Sequence, residues 1–229
     1  MRAPLSVVIP TLNVAALLPQ TAEALLAGVT EGVIGELIVS DGGSDDGTVE
    51  VARALGAVIV EGPAGRGGQI ARGVAVARGE WVMILHADTH LGAYWVETVV
   101  RHMAGHPGEA GYFRLAFRAR GMAPALVAFG ANLRSKVLGL PYGDQGLLVQ
   151  SAVLKDVGGV PEVLLMEDVA LARALKGRLR MLEAMAETSA ARYTADGWTR
   201  RVLRNVWTLL RYFAGVRPAD LMRGYEGKR

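Results

Sequence analysis

Cysteine is absent from the 229-residue chain, which excludes disulfide frameworks, cysteine-ligated zinc sites and thiol nucleophiles. No run of about 18 uncharged apolar residues occurs, so no membrane-spanning helix is expected. A strong charge imbalance is also lacking, because a net charge of +3 is too small to indicate nucleic-acid binding. We find no internal repeat, linker or signal-peptide pattern, and the sequence therefore predicts a single cytoplasmic domain over residues 1–229.

Hydrophobic residues make up 51% of the chain, which is enough to bury a sizeable core. Four short apolar runs rich in β-branched residues predict buried strands over residues 5–9, 36–40, 57–60 and 81–85. The segments between these runs show helical spacing of apolar residues, so strands and helices alternate. This alternation predicts an α/β fold, in which right-handed βαβ units form a mostly parallel sheet flanked by helices.

Beyond residue 90 the pattern is less regular and richer in helix. It predicts helices over residues 94–103, 124–138, 167–176 and 198–213, and a strand over residues 111–117. From Trp198 onward the chain carries eight basic residues against two acidic ones, together with five aromatic residues. Such a segment suits an anionic membrane surface or an anionic substrate. The alternative is a core-packing helix whose arginines are solvated.

Mostly polar residues follow the predicted strands directly. These positions lie at the sheet edge where ligands bind in parallel α/β folds. They are Pro10, Thr11 and Asn13 after the first strand, Asp41 after the second, and His86 and Asp88 after the fourth. Carboxylates that converge on one crevice repel each other unless a cation neutralises them, and oxygen ligands favour Mg²⁺ or Mn²⁺ with phosphate oxygens. The pattern therefore predicts a metal-bound nucleotide, although Asp45 and Asp46 are explained by turn formation.

Arg66 lies within a glycine cluster, Gly-Arg-Gly-Gly, just ahead of a predicted helix. Glycines allow close backbone approach, and a helix N-terminus favours phosphate. The spacing is not that of a dinucleotide-binding loop, and the cluster follows the third strand instead of the first, which argues against an oxidoreductase. A plain glycine-rich loop is the structural alternative.

Two further polar positions occur in the second half of the chain. Asp144 and Gln145 lie in a Gly-Asp-Gln-Gly turn, and Glu167 and Asp168 open a predicted helix. Acidic residues in a first helical turn are commonly partners of the helix dipole. If the pair faces the crevice, one carboxylate could act as a general base toward a hydroxyl.

Taken together, four segments resemble family 2 glycosyltransferases of the GT-A fold. They are residues 6–13 (SVVIPTLN), 36–48 (ELIVSDGGSDDGT), 85–89 (LHADT) and 166–168 (MED). The combination of LHADT, GDQG and MEDV is also similar to a small bacterial subgroup, the radical-SAM/selenodomain-associated transferases. The processive-synthase signature Gln-x-x-Arg-Trp is absent, which favours a transferase that makes single additions.

This resemblance implies an inverting, metal-dependent transferase that moves a sugar from a UDP- or GDP-linked donor to a hydroxyl of an unidentified acceptor. It implies a nucleotide-binding half over residues 1–90, an acceptor-side half over residues 91–190 and a basic C-terminal helical segment over residues 191–229. The implied roles are nucleotide binding by Pro10, Thr11, Asn13, Asp41, Arg66 and His86, metal binding by Asp88 with His86, general-base catalysis by Asp168, and acceptor-side positions for Asp144, Gln145 and Glu167.

The chain departs from the family pattern at three positions. His86 replaces the first Asp of the DxD motif, Gly42 replaces the second Asp of Asp-Asp-Gly-Ser, and Val14 replaces an acidic residue. Two other functions therefore stay open, a nucleotidyltransferase of related fold and a nucleotide-binding protein without activity. The C-terminal segment could close over the site, pair two copies of the chain or contact a membrane surface.

Overall fold

The computed structural model describes residues 3–226, with side chains as far as Met222. Eight strands within this range form one sheet: β1 Leu5–Thr11, β2 Ile34–Asp41, β3 Val58–Glu61, β4 Trp81–Ile84, β5 Thr89–Leu91, β6 Ala110–Phe117, β7 Leu147–Gln150 and β8 Leu179–Thr188. The helices are α1 Leu18–Thr30, α2 Thr48–Ala54, α3 Arg66–Val76, α4 Trp95–Gly105, α5 Met122–Leu138, α6 Ser151–Asp156, α7 Glu167–Ala174, α8 Ala191–Asp196, α9 Trp198–Phe213 and α10 Pro218–Glu226. A 3-10 turn spans Gly143–Gln145.

The strand order is β3-β2-β1-β4-β7-β6-β8-β5. The first four strands pair in parallel, as the alternating pattern of the sequence predicts. Strand β7 runs antiparallel to β4 and β6, strand β8 runs parallel to β6, and β5 closes the edge antiparallel to β8. The α/β fold with a mostly parallel sheet is thus confirmed, with four parallel pairings against three antiparallel ones, and each antiparallel pairing includes β7 or β8 from the second half of the chain.

Strand β1 is buried on both faces because helices cover the sheet on both sides. Val7 and Ile9 point into one core with α1 and α4, and Val8 points into the other with α3, α6 and α7. These three side chains are fully buried, and each contributes about 1.5–3 kcal/mol to folding. The two cores fix the carboxyl ends of β1, β2 and β4 at one edge of the sheet.

The structure contains elements that the sequence pattern did not predict. Helix α3 begins at Arg66 itself, within the glycine cluster that was expected to precede the helix, and strand β8 was not predicted at all. The C-terminal residues Arg223, Tyr225, Lys228 and Arg229 of the predicted basic segment lie outside the described side chains. Of the helices between residues 3 and 226, none is long and apolar enough to cross a bilayer.

Candidate active site

The ends of β1 and β2 meet through a buried carboxylate. Thr11 pairs with Asp41 in the sheet register, and the Thr11 hydroxyl donates to Asp41 Oδ1 at 2.8 Å. Asp41 also accepts hydrogen bonds from Ser44 Oγ, Ser44 N–H and Gly43 N–H at 2.6–2.8 Å. Burial raises the pKa of Asp41, but these hydrogen bonds from Ser44, Thr11 and Gly43 outweigh burial and hold the pKa below its ordinary value. Asp41 is therefore ionised at neutral pH.

Gln69 on α3 is a buried residue that the sequence analysis did not single out. Its side-chain amide donates to the carbonyls of Thr11 at 2.6 Å and Ser40 at 3.1 Å, so it joins α3 to both strand ends. A Cβ on Gly42 would lie 3.0 Å from Gln69 Nε2 and 3.2 Å from Ala64 Cα. Gln69 thus occupies the space that the side chain of the family's usual Asp would need at position 42. No local pattern marks this contact, because the two positions lie 27 residues apart.

Asn13 and Asp46 bind the loop after β1 to the loop after β2. Asn13 adopts a left-handed conformation with φ 53°, donates its N–H to Ser44 Oγ at 2.9 Å and accepts the Asp45 N–H at 3.0 Å. Asp46 accepts hydrogen bonds from the Ala15 N–H and from the N–H and hydroxyl of Thr48, the first residue of α2. These contacts agree with turn formation by Asp46. Pro10 is partly buried at the end of β1 beside them.

A crevice of about 920 Å³, including its open mouth, adjoins these strand ends. It is lined by most of the predicted chemistry-bearing residues, namely Arg66, His86, Asp88, Asp144, Glu167 and Asp168. Pro10, Thr11, Asn13 and Asp41 lie at the ends of β1 and β2 instead of on the crevice wall. The predicted site residues therefore form two groups. The group at the ends of β1 and β2 is rich in loop hydrogen bonds, and the group on the crevice wall is rich in carboxylates.

Glu167 and Asp168 enter the crevice at the start of α7. Met166, just before them, has φ 64°, a conformation that costs roughly 1–2 kcal/mol for a residue with a side chain. Asp168 Oδ2 accepts the Gly143 N–H at 2.9 Å, and Oδ1 accepts the Val169 N–H at 2.7 Å. The first-turn pair thus faces the crevice, as general-base chemistry requires.

Arg66 is the cation that faces these carboxylates. Its guanidinium donates to Glu167 Oε1 at 3.3 Å. Burial lowers the pKa of Arg66, but the negative charges of Glu167, Asp168 and Asp88 more than offset that effect and raise the pKa. Glu167 is buried and near Asp168, so its pKa is raised in spite of Arg66.

Asp144 carries a raised pKa of about 6. Burial is the main cause, the charges of Asp168 and Asp88 add to it, and Arg134 opposes it. Within the described residues, Asp144 Oδ1 is a buried oxygen that has no hydrogen-bond partner. It is therefore a candidate to bind a cation or a hydroxyl of a ligand.

His86 is held neutral in the wall of the crevice. Burial, with the positive charges of Arg66 and Arg192, lowers its pKa well below the ordinary value. Its Nε2 is buried and finds no partner among the described residues, and a Cβ on Gly143 would lie 2.4 Å from it. Glycine at position 143 is thus what leaves room for this imidazole.

The loop that carries Asp88 is anchored to the second half of the chain. Arg118 donates from Nη1 to the Asp88 carbonyl at 2.9 Å and to the Glu187 carbonyl at 2.5 Å. Strand β5, which follows Asp88, pairs with β8 over the same stretch. These contacts fix the backbone of the DxD-like loop against the end of β8.

Gln145 is fully buried behind the crevice. Its amide donates to the Phe113 carbonyl at 3.1 Å, and its Oε1 accepts the Ser135 hydroxyl at 2.6 Å and the Tyr142 N–H at 3.2 Å. The side chain therefore fixes the 3-10 turn that carries Asp144, and it does not face the crevice.

Helices α8 and α9 form the far wall of the crevice. Tyr193 and Trp198 stack with ring centroids 4.9 Å apart, and both contact Phe117 edge-on. Asn205 donates to the Tyr193 hydroxyl at 3.2 Å, and Arg201 pairs with Asp196 at 2.9 Å. Helices α8 and α9 thus line the crevice, a position for which the sequence offered no decisive signal.

The donors of the crevice suit a divalent cation that shares its ligands with a substrate. No group of three or more His, Asp or Glu side chains between residues 3 and 222 is arranged to hold a metal alone. Asp88, the unpartnered Asp144 Oδ1 and the unpartnered His86 Nε2 nevertheless supply oxygen and nitrogen donors at one wall. Mg²⁺ and Mn²⁺ in such sites complete their coordination with phosphate oxygens and water.

Solved structures of similar architecture identify the fold. Staphylococcus aureus TarS 1–349 matches with a TM-score of 0.64, 16% identity and coverage of 95% of this chain and 68% of that one. Glucosyl-3-phosphoglycerate synthase from Mycobacterium tuberculosis, in complex with Mn²⁺ and UDP-glucose, matches with a TM-score of 0.57, 21% identity and coverage of 81% and 69%. The chain therefore has the GT-A fold of nucleotide-sugar transferases.

Sequence comparison finds a family similarity in the first half of the chain. Residues 6–117, just under half of the chain, match the family model of glycosyl transferase family 2. A curated relative, the PGL/p-HBAD biosynthesis glycosyltransferase of Mycobacterium bovis, is 38% identical over 119 residues, which is 48% of this chain and 44% of that protein. Its counterpart in M. tuberculosis matches equally. The chain thus spans less than half the length of these relatives.

Proposed function

We propose that the chain is an inverting, metal-dependent glycosyltransferase that moves a sugar from a nucleotide-diphospho-sugar to an acceptor hydroxyl. The observation that carries this proposal is the convergence of Asp88, Asp168 and Arg66 on one crevice beside the buried Thr11–Asp41 pair. In this view residues 1–90 bind the nucleotide, residues 91–190 face the acceptor, and residues 191–229 form the C-terminal helical part of one GT-A domain.

The ends of β1 and β2 are the proposed nucleoside site, formed by Pro10, Thr11, Asn13 and Asp41. TarS has been crystallised with UDP-GlcNAc and the mycobacterial synthase with UDP-glucose, which supports a UDP-linked donor for this chain, and a GDP-linked donor stays the alternative prediction. Asp41 already accepts four hydrogen bonds, about as many as one carboxylate can accept. A contact between Asp41 and the base therefore requires the hydroxyl of Ser44 or Thr11 to turn away.

Asp88 is the proposed metal ligand, and His86, neutral at Nε2, is either a second ligand or a contact to the ribose. A bound Mg²⁺ or Mn²⁺ would stabilise negative charge on the departing nucleoside diphosphate. Arg66, the first residue of α3, supplies positive charge in the same crevice and is the proposed partner of a donor phosphate.

Asp168 is the proposed general base. Its Oδ2 is oriented by the Gly143 N–H, and the residue faces the crevice from a helix start. The carboxylate takes the proton of the acceptor hydroxyl while the hydroxyl oxygen bonds to the anomeric carbon. The bond from that carbon to the diphosphate breaks on the opposite face, so the configuration inverts and no covalent enzyme intermediate forms. Asp144 and Glu167 are the proposed acceptor-side residues, with Gln145 holding Asp144 in place.

The finer classification is also a proposal. The motifs LHADT, GDQG and MEDV support placement in the radical-SAM/selenodomain-associated subgroup. Pairing of two copies and peripheral contact with a membrane through the C-terminal helices remain predictions.

The test is calorimetric titration of UDP and GDP into the wild-type protein and an Asp88→Ala variant, each with and without Mn²⁺. We expect one nucleotide to bind the wild type more tightly with Mn²⁺, and the Asp88→Ala variant to lose that dependence. Equal binding by the variant would refute the metal role of Asp88. Release of pyrophosphate in a product assay would indicate a nucleotidyltransferase, and metal-independent binding without turnover of UDP- or GDP-sugars would favour the binding protein.

A further inference from the structure

Helix α9 is amphipathic in the reverse of the usual sense. The two buried residues of this helix, Arg201 and Thr208, are both polar. Leu203, Trp207 and Leu210 lie on the opposite side of the helix and are 64%, 62% and 56% exposed. A helix on a soluble surface normally buries its apolar side and exposes its polar side. The exposed side of α9 therefore carries large apolar side chains that no described residue covers.

The crevice explains why the polar side of α9 faces inward. Arg201, Asn205 and Thr208 line the crevice wall, and Arg201 is held by Asp196. The inward side of α9 thus meets a polar site at these three positions, and it packs on apolar clusters only through Trp198, Leu209 and Tyr212. The apolar side is left to face outward, where water solvates it poorly.

Helix α5 lies beside α9 and shows the same outward stripe. Val127 and Ala131 of α5 share one apolar cluster with Trp198 of α9. Leu126, Phe129 and Leu133 of α5 recur at helical spacing and are 68%, 66% and 49% exposed. We call the exposed stripes of the two helices, defined by Leu126, Phe129, Leu133, Leu203, Trp207 and Leu210, the outer face. Exposed apolar side chains concentrated on two neighbouring helices are typical of an interaction surface.

The charged residues of α5 and α9 indicate which kind of surface would bind the outer face. Neither α5 nor α9 contains an aspartate or glutamate, whereas α9 carries Arg200 and Arg211, besides Arg201 and Arg204 that pair with Asp196, and α5 carries Lys136. A second copy of the chain would bring the same positive charge to the contact and be repelled. Anionic lipid headgroups would be attracted, and lipid tails would accept the tryptophan and leucine side chains. We propose that the outer face docks on the surface of an anionic lipid bilayer.

Docking of the outer face would place the crevice close to the membrane. One side of α9 lines the crevice and the other belongs to the outer face, so only the thickness of one helix, about 10 Å, separates them. If the chain transfers sugar as proposed above, its acceptor is then an amphiphile whose hydroxyl lies at headgroup level. This second step depends on the proposed function, whereas the docking itself does not.

The test is sedimentation of the full chain with vesicles of phosphatidylcholine alone and of phosphatidylcholine mixed equally with phosphatidylglycerol. We expect binding to the mixed vesicles at low salt and at least about tenfold weaker binding to the neutral ones. The triple variant Leu203→Ser, Trp207→Ser, Leu210→Ser should lose binding by at least about tenfold. Replacing Arg200 and Arg211 with glutamine should weaken binding to the mixed vesicles by about fivefold per arginine.

The matched control is Leu26→Ser with Val29→Ser on α1, where the two side chains are 58% and 54% exposed. This variant should bind vesicles like the wild type. The triple serine variant and the α1 control should both leave thermal unfolding and UDP binding unchanged. This result separates membrane docking from folding and from donor binding. The proposal is overturned if the wild type stays with the supernatant, if the triple variant sediments equally, or if the triple variant instead breaks a dimer formed without lipid.

Discussion

The Arg66 guanidinium lies 3.3 Å from the Glu167 carboxylate and joins the start of α3 to the start of α7 across 101 residues of sequence. The glutamate side chain is only 4% exposed and the arginine side chain 40%. A buried carboxylate next to Asp168 would strongly resist ionisation without this partner. The pair therefore lets two consecutive acidic residues face one crevice.

We predict that Arg66→Met destabilises the protein in a pH-dependent way. Glu167 has a raised pKa in the folded state, and removal of Arg66 raises it further. A carboxyl with a raised folded pKa binds protons more readily in the folded state, so stability falls as pH rises above its unfolded value. Urea unfolding should show a loss of about 2 kcal/mol at pH 8, below the value for a fully buried pair because Arg66 is partly solvated, and a smaller loss at pH 5.

The double variant Arg66→Met, Glu167→Gln is the control for this prediction. It has no buried carboxylate to leave unpaired, so most of the pH dependence should disappear. Equal losses of stability at pH 5 and pH 8 in the single variant would show that the pair does not act through charge.

Asp144 gives a second pH-dependent prediction. Its pKa of about 6 exceeds its ordinary value of 3.8, so the folded protein holds this proton over a range in which the unfolded chain has released it. Stability contributed by the neutral form is full below about pH 4 and is lost as pH rises to about 6. Asp144→Asn should therefore be more stable than the wild type at pH 8, by up to about 3 kcal/mol, and similar to it at pH 4.

Chemical unfolding between pH 4 and pH 8 in the absence of divalent metal measures this difference. Asp45→Asn, at an exposed loop position, is the matched control and should leave the profile unchanged. A constant stability difference between Asp144→Asn and the wild type across the range would rule out the raised pKa.

Asp168→Asn should abolish sugar transfer while sparing nucleotide binding. The asparagine keeps one oxygen that can accept the Gly143 N–H and loses only the acceptor for the Val169 N–H at the helix start, but it cannot take a proton from the acceptor hydroxyl. We expect the turnover rate to fall by about 10²–10⁴-fold with the nucleotide Kd within about twofold of the wild type. Retained turnover would mean that another group deprotonates the acceptor.

Gly42→Asp, which restores the residue usual in the family, should destabilise this protein. Even a Cβ at this position would lie 3.0 Å from Gln69 Nε2, and a whole carboxylate needs more room. We expect a loss of about 1–3 kcal/mol in thermal or urea unfolding. Gly43→Asp is an unsuitable comparison because Gly43 has φ 92°, so the control is Gly105→Asp, where a Cβ would meet no atom of the described residues within 4 Å. A Gly42→Asp protein as stable as the wild type would show that Gln69 moves aside freely.

The first four strands and their helices could be predicted because each is encoded by a local apolar pattern. Strand β8 could not, because its sequence LRMLEAMAET consists mainly of residues that favour helix. It forms a strand because β6 and β5 pair with it on both sides, and such pairing depends on distant residues.

The candidate site also contains residues that could be predicted from local sequence and residues that could not. The positions of Asp88 and Asp168 followed from motifs that stand at strand and helix ends. The contact of Gln69 with both strand ends, the unpartnered Asp144 oxygen and the wall formed by α8 and α9 arise only when distant segments pack together. A sequence pattern carries no local sign of such contacts.

The hydrogen bonds of Arg118 set a limit on how the chain can be divided. The match to glycosyl transferase family 2 ends at residue 117, one position before this arginine. A protein cut at that boundary would keep the LHADT motif but lose both Arg118 and β8, to which the Asp88 backbone is anchored. The segment that matches the family model therefore lacks the contacts that hold the Asp88 loop, and we expect that loop to be stable only when Arg118 and β8 are present.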